Sequence, residues 1–254
     1  MKNILVALIT TVLLTGCFKS LEKKGFSVSH TSTESALAED ANSPDSVFRT
    51  RPRDVLKTRS KDHRLTIVFK INYDKKTKEP FIGSTSFHYG YSSNDKGNNW
   101  NHNIMPGFEA VYGYNIVNVS HYNNALHQNN LFFETPGLIK TLYYPTFSND
   151  TLNGEAVNRN FYMVSVYDED TNNDGKINVK DLRRFYSFNI EAKEKNGLIP
   201  KNYSVMSSEY DSANDLMYVF ARIDENGNGQ MDDNEEIHIF WIDLKDPTKT
   251  GRVY

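Results

Sequence analysis

Cysteine is almost missing from this chain. Cys17 stands alone among 254 residues, which excludes an internal disulfide and the paired-cysteine zinc motifs. Positive charge is not in excess either: the formal net charge is −3, so no basic field exists to hold the phosphates of a nucleic acid. The chain lacks Gly-x-Ser-x-Gly, His-Glu-x-x-His and any glycine-rich phosphate loop, the local signatures of several catalytic classes. Its histidines, His30, His63, His88, His102, His121, His127 and His238, are scattered and read as surface or core residues. No catalytic residue is assigned, and the chain reads as a non-enzyme. Long amphipathic helical patterns are wanting, and beyond the N-terminal residues no stretch is apolar enough to cross a bilayer.

The N-terminus begins with Met1-Lys2-Asn3, a short positive start. Ile4 to Leu14 follows as an apolar run interrupted by Thr10 and Thr11, too short for a membrane span and suited to a signal segment. Leu14-Thr15-Gly16-Cys17 comes next and resembles the lipobox of bacterial lipoproteins. That resemblance implies a signal peptide over 1–16, cleavage before Cys17, a thioether lipid on its sulfur and acylation of the new amine. Such chains hold a protein on a membrane by burying methylenes at about 0.8 kcal/mol each. Residue 18 is Phe rather than Asp, so the inner-membrane retention signal of some lipoproteins is missing and the outer membrane is favoured.

Composition then divides the rest. Residues 17–62 are rich in Ser, Thr, Glu, Lys, Ala and Asp and predict a flexible tether with a reach of roughly 35–40 Å. Residues 63–254 carry the folded domain. Leu65 to Tyr73, Phe81 to Tyr91, Ala110 to Ser120 and Leu138 to Tyr144 are β-branched and aromatic, which predicts strands. Leu131-Phe132-Phe133 is a further apolar stretch, set off by Pro136-Gly137, a turn signal. Ser92 to Asn103 is polar, rich in Asn and Gly, and reads as a long loop.

Two twelve-residue stretches stand out, Asp170 to Asp181 and Asp224 to Glu235. Both place oxygen-bearing side chains at positions 1, 3, 5, 9 and 12 and Gly at 6, the calcium-loop pattern. A hard dication takes six to eight oxygens, and only a tightly wound loop gathers so many from so short a stretch. The expected ligands in the first loop are Asp170, Asn172, Asp174, the carbonyl of Lys176, Asn178 and Asp181. In the second they are Asp224, Asn226, Asn228, the carbonyl of Gln230, Asp232 and Glu235. With three carboxylates each, the loops predict affinities of about 10⁻⁴–10⁻³ M, a structural rather than a signalling range. The alternative reading is a pair of Asx-rich turns with no metal. The first loop resembles the dockerin type, Asp-x-Asn-x-Asp-Gly-x-Ile-Asn-x-x-Asp. The resemblance ends with the loop, since dockerin helices and a close second loop are missing, and cohesin binding is not expected.

The flanks of the two loops come into register. Phe161 to Tyr167 precedes the first and Leu216 to Ile223 the second; Arg184 to Ile190 and Ile237 to Leu244 follow them. Each loop is therefore expected to join two strands as a hairpin, with Ile237 to Leu244, apolar on both alternating faces, as a buried strand. A repeat of about 50 residues predicts stacked units. With an outer strand at Tyr203 to Glu209 and a last one at Gly251 to Tyr254, each unit resembles a four-stranded blade of WD-type propeller repeats. The turn Tyr210 to Asp215 and the Ile242-Asp243-Leu244 end carry that resemblance. The expected class is mainly β, with blade-like antiparallel repeats in a partial or small propeller, and a β-sandwich as the alternative.

Together these features predict a calcium-binding, membrane-anchored envelope lipoprotein whose β domain binds a protein or glycan partner. Rival readings are a glycan-binding or glycan-processing lipoprotein, in which Trp100 offers an exposed stacking contact, and a structural component of a larger envelope assembly.

Overall fold

The computed structural model describes residues 23–28, 48–74, 76–83, 85–87, 105–147 and 149–254. Cys17, Trp100 and the polar stretch from Ser92 to Asn103 lie outside them. The molecule is mainly β. Its strands begin with β1 (Phe26–Ser27), β2 (Thr50–Lys57), β3 (His63–Tyr73), β4 (Pro80–Ile82), β5 (Thr85–Phe87) and β6 (Phe108–Asn123). Then come β7 (Gln128–Leu131), β8 (Leu138–Pro145), β9 (Thr151–Leu152), β10 (Glu155–Ala156), β11 (Phe161–Tyr167) and β12 (Lys176–Ile177). The last are β13 (Arg184–Asn189), β14 (Lys195–Gly197), β15 (Tyr203–Asp211), β16 (Leu216–Ile223), β17 (Ile237–Asp243) and β18 (Thr250–Arg252).

The largest sheet runs β14-β13-β11-β8-β6-β3-β2, with β4 added to β3 and β5 and β7 added to β6. A second sheet runs β15-β16-β17-β18, and every pairing in both is antiparallel. Both hairpins expected around the acidic loops are present: β11 pairs with β13 and β16 with β17. The repeat survives as two four-stranded meanders, β8-β11-β13-β14 and β15-β16-β17-β18. They do not form separate blades of a ring, because β8 also pairs with β6 and neither sheet is closed. The arrangement is that of the sandwich alternative.

Side chains alternate across a strand, and β11, in the middle of the large sheet, is buried along its whole length. Tyr162, Val164 and Val166 face one core together with Leu65, Ile67, Phe69, Ile139 and Leu142. Phe161 and Met163 face the other, where Tyr143 and Phe185 of the large sheet meet Val205, Met217, Val219, Phe240 and Ile242 of the small one. This second core joins the layers. Phe132 and Phe133, of the apolar stretch before Pro136-Gly137, lie just past β7 and fold over the first core. Their rings sit 4.7 and 5.4 Å from that of Phe188. Ile237 to Leu244 corrects its expectation: β17 buries only His238, Phe240 and Ile242, whereas Ile237 is exposed and Trp241 half-buried. The small sheet covers one face and leaves the other to solvent, and Trp241 spreads over Gly251, its neighbour on β18.

Two pieces of the stretch read as a tether are paired in the structure. Thr50–Lys57 forms the edge strand β2 against β3, with a bulge between Arg53 and Val55. Pro52, charged side chains and that bulge suit an edge, where backbone groups need not all be paired. Further upstream, Phe26 and Ser27 pair with Ile177 and Lys176, inside the first acidic loop.

Candidate metal centre

In an acidic loop the first question is where the carboxylates turn. In the first loop, the Asp170 carboxylate accepts the backbone N–H of Asp174 (3.0 Å) and of Gly175 (2.8 Å). Asn172 Oδ1 accepts the N–H of Asp174 and Asp174 Oδ1 that of Lys176, both at 3.0 Å. The Asp181 carboxylate closes the loop, taking the N–H of Thr171 at 2.9 Å and of Asn178 at 2.8 Å. Apart from the contact between Asp181 and Thr171, ten positions apart, each of these is a side chain bonded to backbone a few residues away, the interaction Asp and Asn favour in turns.

The second loop repeats the pattern at positions 1, 3, 5 and 12. Asp224 accepts from the N–H of Asn228 and Gly229 at 3.1 and 3.0 Å. Asn226 Oδ1 takes the N–H of Asn228, and Asn228 Oδ1 that of Gln230. Glu235 accepts from Glu225 and Asp232 at 3.0 and 3.1 Å. The backbone agrees: positions 4 and 6 are left-handed in both, with φ of 57° and 80° at Asn173 and Gly175, and 68° and 69° at Gly227 and Gly229. Repeated positive φ winds each chain into the same tight turn.

The closing carboxylates are the buried ones, Asp181 at 1 % and Glu235 at 9 % exposure. Burial pushes the Asp181 carboxyl up, opposed by the N–H groups of Asn178, Asn172 and Thr171, which hold it down. At position 9 the two loops differ in polarity. Asn178 Nδ2 donates to Asp174 at 3.3 Å, whereas Asp232 accepts from the amide groups of Asn226 (3.0 Å) and Asn228 (2.7 Å). Every expected ligand residue thus lies in its loop, and the side chains at positions 1, 3, 5, 9 and 12 are joined by one local hydrogen-bond web. No group of three or more His, Cys, Asp or Glu side chains that could hold a metal ion occurs among the described residues. The donor set instead mixes carboxylate, amide and carbonyl oxygens, which in kind fits a hard dication such as calcium.

The loops also touch each other. Asp181 forms an antiparallel bridge with Gln230. Thr171 Oγ1 donates to the Gly229 carbonyl at 2.6 Å and accepts the Leu182 N–H at 2.8 Å. A Cβ on Gly229 would lie 1.9 Å from the Thr171 carbonyl oxygen, so the contact depends on glycine. Sequence spacing gave no sign of it, since Thr171 and Gly229 are 58 positions apart.

Two other polar groupings carry no sequence signal for the same reason. Arg159 holds Asp215 through both nitrogens of its fork, at 2.9 and 2.7 Å, with both side chains nearly inaccessible. His63 Nδ1 and His121 Nε2 are 2.9 Å apart. Asn130 donates to the Ala192 carbonyl through Nδ2, so its Oδ1 faces His121 Nδ1, at 3.2 Å, as an acceptor. This sets His121 as the Nδ1–H tautomer and His63 Nδ1 as the donor between the rings. Burial pushes the His121 imidazole down, towards its neutral form. Both histidines are buried.

Beside the Arg159–Asp215 pair opens a cleft of about 580 Å³ lined by Leu152, Asn153, Glu155, Asn158 and Lys245 among others. No helix among the described residues is long and apolar enough to cross a membrane. Compared with known proteins, the chain matches no family model and no curated sequence.

Proposed function

We propose that this chain is a calcium-stabilised, lipid-anchored envelope protein whose β domain serves binding or interaction rather than catalysis. The observation that carries the calcium part is the shared hydrogen-bond pattern of the two loops, position by position. Asp170, Asn172, Asp174, Asn178, Asp181 and the Lys176 carbonyl would hold one ion. Asp224, Asn226, Asn228, Asp232, Glu235 and the Gln230 carbonyl would hold the other. A bound dication supplies positive charge that relieves repulsion among the carboxylates of each loop. Each loop joins the two strands of a hairpin, so relief there fixes the register of β11 with β13 and of β16 with β17.

Binding to the native form alone stabilises it by RT ln(1 + [L]/Kd), about 1.4 kcal/mol per loop when free calcium is tenfold above Kd. Chelator is therefore expected to lower the melting temperature by several degrees, and added calcium to restore it. Asp170→Asn with Asp224→Asn should abolish the response, read by thermal unfolding and by calorimetric titration. Identical melting curves with chelator and with calcium would refute the calcium reading.

The anchor rests on the Leu14-Thr15-Gly16-Cys17 sequence. Cys17→Ser is expected to move the protein from the membrane fraction to the soluble fraction, and mass spectrometry of the wild-type N-terminus should find lipid on Cys17. An unmodified mature N-terminus would remove this part of the proposal. A glycan-binding reading finds its support in the polar cleft beside Arg159, where Asn153, Glu155, Asn158 and Lys245 supply donors and acceptors. The assembly reading finds it in the C-terminal edge strand β18, followed by the exposed Val253 and Tyr254.

A further inference from the structure

We infer that the first acidic loop is the docking site for the chain's own N-terminal segment, and that calcium in that loop and the docked segment strengthen each other. The inference rests on the calcium reading given above. Its structural basis is the strand β1, which adds to the loop's edge at positions 6 to 8.

Phe26 pairs with Ile177 and Ser27 with Lys176, and the Val28 N–H donates to the Gly175 carbonyl at 3.1 Å. Phe26 is buried at 6 % exposure among Ile177, Val117, Leu138 and Tyr167, and its ring meets that of Phe48 at 4.9 Å. Gly25 makes the approach: its φ is +59°, and a Cβ there would fall 1.8 Å from the Ile177 carbonyl oxygen. An apolar anchor, a backbone ladder and a required glycine are features of a built contact, since strand addition takes affinity from the main chain and selectivity from alternate side-chain pockets.

The coupling follows from strand geometry. Successive peptide groups of an extended chain point to opposite sides. The Gly175 carbonyl is held towards β1 by Val28. Lys176 therefore faces the other way, and its N–H does so visibly, donating to Asp174 Oδ1 at 3.0 Å. Its carbonyl, the one main-chain oxygen in the expected ligand set, is turned to that same side. Docking of β1 thus sets this oxygen in the direction in which a cation would need it, and a cation there holds the edge in the shape β1 needs. Among the described residues the second loop has no such strand: its position 8, Met231, is 42 % exposed, and Gln230 is bridged instead to Asp181.

For an anchored protein the consequence is one of distance. From Cys17 to Phe26 a fully extended chain spans at most about 30 Å, against roughly 110 Å from Cys17 to Thr50. Docked, the first loop stays within that shorter reach of the lipid; released, the body is free to move much farther away.

The test is hydrogen exchange on the full chain with calcium and with chelator, paired with calorimetric titration of calcium. Backbone amides in residues 25–28 are expected to exchange about fivefold more slowly, or better, with calcium present. Coupling is reciprocal, so Gly25→Val, which cannot dock, should weaken one of the two calcium sites by the same factor and leave the other unchanged. Val28→Pro, which removes the donor to Gly175, should act in the same direction. Neither substitution touches the two large cores, and an unchanged far-ultraviolet spectrum would verify the fold. Calcium binding with no change in exchange at 25–28, and no change in affinity in either variant, overturns the inference and leaves the calcium reading standing. Failure of calcium to bind the wild-type chain removes both.

Discussion

Replacing Arg159 with Met is expected to lower the unfolding free energy by about 3–5 kcal/mol, the usual loss when one partner of a buried ion pair is removed. Arg159 does more than meet Asp215. Its Nη1 also donates to the Leu244 carbonyl and its Nε to the Pro106 carbonyl, while the guanidinium lies 5.4 Å over the Phe108 ring. Pro106 and Phe108 belong to the large-sheet side, Asp215 and Leu244 to the small sheet. One side chain therefore spans the two layers. Asp215 has no exposed route to other compensation: it is 3 % exposed, sits at φ 57° in the turn before β16, and otherwise takes only the Tyr210 hydroxyl, at 3.1 Å, among the side-chain donors resolved. The Asp215 charge in turn helps push the Tyr210 phenol up to about 12, after burial as the larger cause. Urea unfolding of Arg159→Met, Asp215→Asn and the double variant measures the coupling. The double variant should lose clearly less than the sum of the singles, because no unpaired charge is left inside. Additive losses would show that the pair acts only through packing.

Gly229→Ala is expected to cost about 3–5 kcal/mol, far more than Gly227→Ala in the same loop. Both glycines have nearly the same left-handed φ, 69° and 68°, so each substitution brings the same backbone strain of about 1–2 kcal/mol. They differ in surroundings. Nothing lies within 4 Å of a Cβ on Gly227, whereas one on Gly229 would sit 1.9 Å from the Thr171 carbonyl oxygen and 2.3 Å from its carbon. Overpacking against backbone adds about 1–3 kcal/mol and pushes the loops apart, with loss of the Thr171–Gly229 hydrogen bond and the Asp181–Gln230 bridge. Thermal unfolding in chelator separates this from any metal effect. Equal losses in the two variants would mean that the loops do not depend on their mutual contact.

Much of the fold was readable from residue type. Phe161 to Tyr167 and Leu216 to Ile223 are strands because β-branched and aromatic side chains suit a pleated, half-buried surface. The paired acidic loops told where the hairpins turn, because most of the hydrogen bonds that wind each loop join residues close together in the chain. The strand β2 was not readable. Thr50-Arg51-Pro52-Arg53-Asp54-Val55-Leu56-Lys57 buries only Leu56, and an edge strand with one anchored residue has the composition of a linker. Phe26 was lost the same way, as a single apolar residue in a polar stretch whose partner, Ile177, is far along the chain.

By itself, the sequence determined the class of the domain, the two hairpins and the place where each of them turns, since these depend on interactions within about a dozen residues. Tertiary structure alone decided that the repeats join a larger sheet instead of closing a ring, because the free edge of β8 is taken by β6. It alone paired Arg159 with Asp215, His63 with His121, and Phe26 with the first loop. Those contacts bring together residues that ordinary pattern cannot relate, and burial, not spacing, selects them.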